Sequence, residues 1–406
     1  MWNFIKNRLS PFQHVAFRRF FFVQAVSQVG TWSHDLARAW IVLEIMGTAS
    51  ALGSLMLASA IPTFLLILHG GVLVDRIDAK KVMIGTKAIL AVSALILSFV
   101  VEFAHIQMWH LFVFGIIEGL VLAFDSPAYQ TLTVRLVPRQ DFQQAMAINS
   151  TNFHTGRMLG PAVAGLLMAW HGPSAVFLFD ALSYIGLIFV LGKIDLRAAQ
   201  RTSTEIPKKQ LHALYEGLKY MFTNSRMRYM LLQLLLTITM MFPVLIVVFR
   251  TYIKEKFSLD ADSFGYVFAF PALGAMLGAL VFTGLKPQNP MRVLVVSVPT
   301  MVGLLIGLTY ADDIMTASII MGFSGLFSYL NFAPVTMSMH LDVVEDYRGR
   351  MGSLIGMCFL SIGPIMSFPI GAYSDHVGYE EAIRSISLLY FSASLLLAVF
   401  RLRNRG

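Results

Sequence analysis

Ionisable residues lie deep inside several long apolar runs, where solvating a charge in hydrocarbon is expensive and such side chains are retained for a function or a partner. His34, Asp35 and Arg38 fall in the first run, Glu118 in the fourth, Arg157 in the fifth and Asp180 in the sixth. Asp35 and Arg38 are three apart, so on a helix they share one face; the plain reading is an ion pair that holds the helix in its bundle. Glu118 sits about nine residues into its run, roughly 13 Å deep at the helical rise. Arg157 sits about fourteen residues into its own, roughly 21 Å deep, so the two are expected to meet near mid-depth. Asp180 reads as shallower. Desolvation favours a neutral carboxyl while a nearby arginine favours the anion. That competition suits proton exchange. Glu118 is the expected proton carrier and Asp35 the second candidate, with a static Glu118–Arg157 tie as the alternative. His34 and His154 could titrate near neutrality or simply hydrogen-bond within a bundle. No His-x-x-x-His spacing or carboxylate cluster supports a metal.

The elements that must position these groups are membrane helices. Of 406 residues, 56% are hydrophobic and 13% charged, against about 25% charged in a soluble domain. Mean hydropathy is +0.68. A bilayer crossing needs about 20 apolar residues. Twelve such runs are read, at 17–46, 51–75, 82–104, 109–134, 143–169, 174–193, 227–251, 264–285, 291–311, 314–340, 350–374 and 382–401. The single cysteine, Cys358, excludes an intrachain disulfide and reads as a buried small hydrophobe. The net charge is +8. Lys and Arg gather in short gaps between apolar runs, so they read as topology signals rather than a nucleic-acid surface. Arg76, Lys80, Lys81, Arg135, Arg139 and the Lys/Arg-rich 194–226 segment share one face with both termini, which places the termini in the cytosol. Met1 to Arg19 is polar and basic without a small-residue cleavage site, so no cleavable signal is expected.

The 194–226 break splits the chain into six runs plus six, and the halves echo one another. Gly160-Pro161 followed by His171-Gly172 is matched by Gly363-Pro364 followed by His376-Val-Gly378. Parallel repeats with a binding site between them are a transporter plan. Two local motifs support it. Gly71-Val-Leu-Val-Asp75-Arg76-Ile-Asp78-Ala-Lys80-Lys81 is a tight charged turn. Gly156, Gly160, Pro161 and Gly165 form a small-residue face that lets helix backbones approach closely.

On these motifs, with Ser27-Gln-Val-Gly30-Thr-Trp32, Phe124-Asp-Ser-Pro127-Ala and Asn149, the chain resembles the major facilitator superfamily. More narrowly, it resembles the bacterial branch of enterobactin exporters and macrolide efflux proteins. The resemblance covers nearly the whole chain. It implies an all-α membrane protein with 12 transmembrane helices in two pseudo-symmetric six-helix bundles, 1–193 and 227–406, joined by a cytoplasmic linker at 194–226. It implies a gate built on Asp75, Arg76, Lys80 and Asp125. The glycine-proline face matches the fifth-helix signature associated with antiporting exporters. Three departures stand out. Ala79 replaces a basic residue of the loop signature. Gly115 stands where many proton antiporters carry an arginine, with Glu118 where glutamine is common. The second-half loop, Gly284 to Pro290, lacks its acid.

In the second half no charge is read as buried within the spans. Gln233, Tyr329 and Asn331 are its polar candidates and Phe242 its aromatic one; with His34 they form the candidate substrate cavity. The expected function is proton-coupled export of a lipophilic or amphipathic small molecule across a bacterial inner membrane by a monomer. No cofactor, metal, nucleic-acid partner or enzymatic activity is expected. No Gly-x-x-x-x-Gly-Lys-Ser/Thr phosphate loop and no Gly-x-Ser-x-Gly elbow is placed for catalysis. A lipid or lysophospholipid transporter without proton coupling is the nearer rival. A lipid-modifying enzyme is the further one.

Overall fold

A computed structural model describes residues 10–194, 218–285, 290–344 and 348–403. The expected connector 194–226 falls largely on 195–217, outside the described residues, as do positions 286–289 of the second-half loop. Among the described residues there is no strand. The long helices are α1 Val15–Ile45, α2 Ala49–Arg76, α3 Ala79–Phe103, α4 Met108–Arg135 and α5 Phe142–Lys193. They continue with α6 Ser225–Phe257, α7 Ala261–Leu285, α8 Val293–Leu308, α9 Ile314–Asp342, α10 348–377 and α11 Tyr379–Arg403. Ten helices of the described residues are long and apolar enough to cross a membrane. Their outer surfaces carry exposed Leu280, Val295, Leu395 and Leu396, a solvation pattern that hydrocarbon satisfies and water does not.

The breaks between helices follow from local chemistry. Asp78 caps α3 by accepting from Lys80 N at 3.0 Å. Asn224 caps α6 through Arg226 N and Met227 N, and Asp313 caps α9 through Thr316 N. Each side chain satisfies amide donors that a helix start leaves unpaired. The 52 residues of α5 are two limbs, because His171 leaves helical geometry and Gly172 takes φ 73°. A left-handed backbone favours glycine, and Pro173 then starts the second limb. These limbs correspond to the fifth and sixth sequence runs. The echoing position Gly378 takes φ 91° between α10 and α11, so the repeated His–Gly signature marks a sharp turn in both halves.

Two helices are not regular. In α6, π turns occupy Thr237–Met241 and Val244–Val248, on either side of Pro243. In α10 a π turn occupies Cys358–Ile362, directly before Gly363-Pro364. Proline removes an amide donor and its ring crowds the preceding turn; widening the ladder beside it relieves that crowding.

The chain divides into two compact units. The first comprises Met1–Ile41, Pro62–Ile206 and Ala261–Tyr266; the second comprises Val42–Ile61, Pro207–Asp260 and Val267–Gly406. A hairpin segment of the first half of the sequence therefore belongs to the second unit, and the first turn of α7 belongs to the first. In unit 1, α3 packs on α5 and α4 around Phe17, Phe20, Met83, Leu132, Leu187 and Leu191. At its end, Ser10 Oγ donates to Asp141 Oδ1 at 2.5 Å and His14 Nε2 lies 2.9 Å from Oδ2. These bonds, Ser10 first, hold the Asp141 carboxyl below its ordinary range. This tie contributes fully above the unfolded carboxylate value of about 3.9 and is lost as pH falls through the lower folded value.

Unit 2 is held by close backbone approach. A Cβ on Gly325 would fall 1.9 Å from the Pro271 carbonyl oxygen, and one on Gly274 would fall 1.7 Å from that of Gly322. The α7–α9 crossing thus depends on glycine, as small-residue helix contacts in membranes do. Alanine normally gains about 1 kcal/mol over glycine inside a helix. Gly325→Ala is nevertheless expected to lower the melting midpoint in detergent, because overpacking of this kind costs about 1–3 kcal/mol or more. Gly284→Ala, with no heavy atom within 4 Å of its Cβ, is expected to leave the midpoint unchanged or raised.

Candidate functional site

The candidate site lies within unit 1, where α1, α4 and the second limb of α5 converge. The α1 residues His34 and Arg38 are one turn apart, so they present to the same neighbours. Arg38 Nη1 pairs with Glu118 Oε2 of α4, and Arg38 Nη2 is 3.9 Å from Asp35 Oδ1. His34 Nε2 is 3.0 Å from Glu118 Oε1, though not aligned for a hydrogen bond. His34 Nδ1 is hydrogen-bonded at 2.9 Å to Asp180 Oδ2 of α5. The result is a continuous chain, Arg38–Glu118–His34–Asp180, through the unit.

Access is graded along that chain. Side-chain exposure is 23% for Glu118, 8% for His34 and 1% for Asp180. Asp180 Oδ1 is buried and has no hydrogen-bond partner. It nests against Gly30, where a Cβ would fall 2.7 Å from it. The Phe177 ring meets His34 edge-on at a centroid distance of 4.7 Å, so apolar surface closes the far side.

The geometry changes several sequence expectations. Glu118 is bound to Arg38 and His34 rather than to Arg157; the Arg157 guanidinium lies over the Trp32 ring at 5.9 Å. Asp180, read as shallow, is the most enclosed acid of the chain described above. The Asp125 carboxylate accepts from Thr86 Oγ1 at 2.6 Å and Lys87 Nζ at 2.8 Å, both on α3. Lys80 Nζ instead donates to the Ile194 carbonyl at 2.7 Å. Arg76 is exposed, and the Asp75 and His154 side chains lie outside the described residues. Lys87 escapes the sequence reading. Its signal is the same as that of Glu118, a charge inside an apolar run.

The glycine face closes on α1 and on the first turn of α7. A Cβ on Gly156 would meet Gln28 at 2.7 Å and one on Gly160 would meet Trp32 at 2.5 Å. A Cβ on Gly165 would meet Gly265 Cα at 3.0 Å. Ser33 Oγ donates to the Gly160 carbonyl at 2.8 Å, a bond that precedes Pro161 and ties α5 to the helix carrying His34.

In unit 2 the cavity candidates are largely committed to packing. Gln233 Nε2 donates to Ser394 Oγ at 3.2 Å and to Tyr390 OH at 3.4 Å. Asn331 accepts from Ser297 Oγ at 2.6 Å and is fully buried. Phe242 stacks edge-on against Phe359 at 5.4 Å, and Tyr329 is half-buried. Arg250 corrects the expectation that no second-half charge is buried: it is 6% exposed, in α6. Among the described residues no group of His, Cys, Asp or Glu has the arrangement of a metal site.

Comparisons with known proteins agree with this architecture. A family model described as transmembrane secretion effector matches residues 6–405. Macrolide efflux protein A of Streptococcus pyogenes is 22% identical over 368 residues, covering 88% of this chain and 89% of that protein. The staphyloferrin A transporter of Staphylococcus aureus is 23% identical over 388 residues, covering 93% of each. The enterobactin exporter of Shigella flexneri is 24% identical over 268 residues, covering 66% of this chain and 62% of that protein. Among solved structures, the nucleoside transporter NupG superposes with a TM-score of 0.70 at 15% identity, covering 96% of this chain and 98% of that one. A bacterial homologue of the iron transporter ferroportin gives 0.65 at 17%, covering 96% and 98%. At these identities the structures speak for the fold.

The Lys87–Asp125 pair gives a direct test of the site's packing. Removing one partner leaves an uncompensated buried charge, at a cost of about 3–5 kcal/mol. Lys87→Met is expected to lower the melting midpoint of the purified protein strongly. The double change Lys87→Met with Asp125→Leu is expected to recover most of that loss.

Proposed function

This chain belongs to the transmembrane secretion effector family of major facilitator transporters, and we propose that it exports a lipophilic or amphipathic small molecule in exchange for protons. The observation that carries the proton half of this reading is the buried Arg38–Glu118–His34–Asp180 chain. It links a partly exposed acid to an enclosed one through an imidazole, the side chain best suited to passing protons near neutral pH. The substrate half is supported by relatives named for macrolides, staphyloferrin and enterobactin.

In this reading the protein is a monomeric antiporter of a bacterial inner membrane and works by alternating access. It performs no catalysis. Two six-helix bundles, 1–193 and 227–406, are joined by a cytosolic 194–226 segment, and the Lys/Arg distribution supports cytosolic termini. Asp75 and Arg76 act as gate residues on that side. Gly156, Gly160, Pro161 and Gly165 let α5 pack closely as the gate cycles.

The test is transport of a radiolabelled macrolide in proteoliposomes with and without a pH gradient. Accumulation against the concentration gradient is expected only with the pH gradient. Transport indifferent to it removes the antiport reading and favours lipid movement. Glu118→Gln is expected to abolish gradient-driven export while leaving macrolide binding largely intact. Asp75→Asn is expected to slow turnover with folded yield unchanged.

A further inference from the structure

Charge bookkeeping within the site separates its two acids. Arg38 lies directly on Glu118 and supplies a fixed positive charge, since guanidinium does not deprotonate in proteins. Glu118 can therefore stay ionised beside a fixed opposite charge. Asp180 has no such partner. Its Oδ2 meets only His34, its Oδ1 meets no donor, and it is 1% exposed. A carboxylate so enclosed costs several kcal/mol unless its charge is offset. A proton on the His34–Asp180 pair offsets it, either as imidazolium beside carboxylate or as imidazole beside carboxylic acid.

Among the described residues, the cations around the pair are placed on other groups. Facing the pair from α1 are Thr31, bound to Tyr184 OH at 3.0 Å, and Asp35, which lies toward Arg38. From α3 comes Lys87, already bound at 2.8 Å to Asp125. From α4 comes Glu118. The second limb of α5 contributes Ser183, whose hydroxyl turns back to the Asp180 carbonyl at 2.7 Å, and Tyr184. The Arg157 guanidinium, on the first limb, lies over Trp32.

We infer that the exchanged proton is stored on the His34–Asp180 pair and that Glu118, held by Arg38, is the port through which it enters and leaves. The step balances simply. A proton arriving at Glu118 passes to His34 Nε2, 3.0 Å away, and the pair becomes neutral. Its loss by the reverse route leaves the pair with one negative charge. That difference between loaded and empty states is what an exporter can use to bias its conformations. The inference deepens the proposed proton coupling and rests on it for its role in transport, but its protonation claim can be measured without any substrate.

The measurement is a pH-difference infrared spectrum of the full-length protein in lipid nanodiscs, between about pH 5 and 9, the range a coupled histidine–carboxyl pair can cover. The wild type is expected to show one buried protonation change with an imidazole or aspartic component. Asp180→Asn and His34→Gln should each abolish it. Glu118→Gln should keep it and slow its approach to equilibrium. Should Asp180→Asn fail to fold, wild-type protein carrying carbon-13 at the aspartate carboxyls replaces it, and the signal should respond to that label or to nitrogen-15 histidine. A signal abolished only by Glu118→Gln, a signal blind to both labels, or none at all overturns the assignment. Macrolide accumulation in proteoliposomes separates this from the wider reading. A gradient-indifferent transporter with the expected infrared signal removes antiport and leaves the stored proton standing.

Discussion

Ionised groups in hydrocarbon must be neutralised by a partner, and in this protein that requirement decides which helices meet. Arg38 draws Glu118 of α4 to α1, His34 draws Asp180 of α5 to the same helix, and Lys87 draws Asp125 of α4 to α3. Within unit 1 every helix of the site is therefore fixed to a neighbour by at least one charge pair. Without a hydrophobic driving force between helices in lipid, such contacts and close packing carry the association. Gly30 of α1 completes the arrangement, letting the second limb of α5 lie close enough for the His34–Asp180 hydrogen bond to form, while Gly156 and Gly160 bring the first limb against α1.

The two units solve packing differently. Unit 1 invests in buried charge. Unit 2 relies on backbone proximity at Gly274 and Gly325, on fully buried Asn331 and on the Gln233–Tyr390–Ser394 group. Neutral hydrogen bonds between membrane helices contribute roughly 1 kcal/mol each, and Arg250 of α6 adds a buried charge to this unit. This contrast fits a molecule in which one unit handles protons and the other supplies structure and apolar surface.

Much of this was legible in the sequence, because depth along a helix follows from residue count. The apolar runs, the small-residue face and the His171-Gly172 break can be read directly, since each is a local property of length or backbone conformation. The choice of partner cannot. Glu118 and Arg157 are at comparable depths, yet Glu118 turns to Arg38, because which neighbour a side chain faces depends on helix rotation and crossing order. Lys87 is hidden by its proximity to Lys80-Lys81, where lysines read as markers of the membrane boundary. Asp125 was attributed to a gate from a motif, whereas a lysine on the adjoining helix sits within 2.8 Å of it.

The π turns of α6 bear on the same problem from another side. Each holds one residue more than an α turn, so everything beyond it lags a regular wheel by about 100° around the helix axis. Two such turns separate Gln233 from Arg250. A stripe traced at regular helical spacing from Gln233 accumulates an azimuthal error of about 200° by the time it reaches Arg250. Gln233 and Arg250, which a regular wheel sets about 100° apart, are both enclosed by protein, and the wheel ceases to be a map of this helix at Thr237.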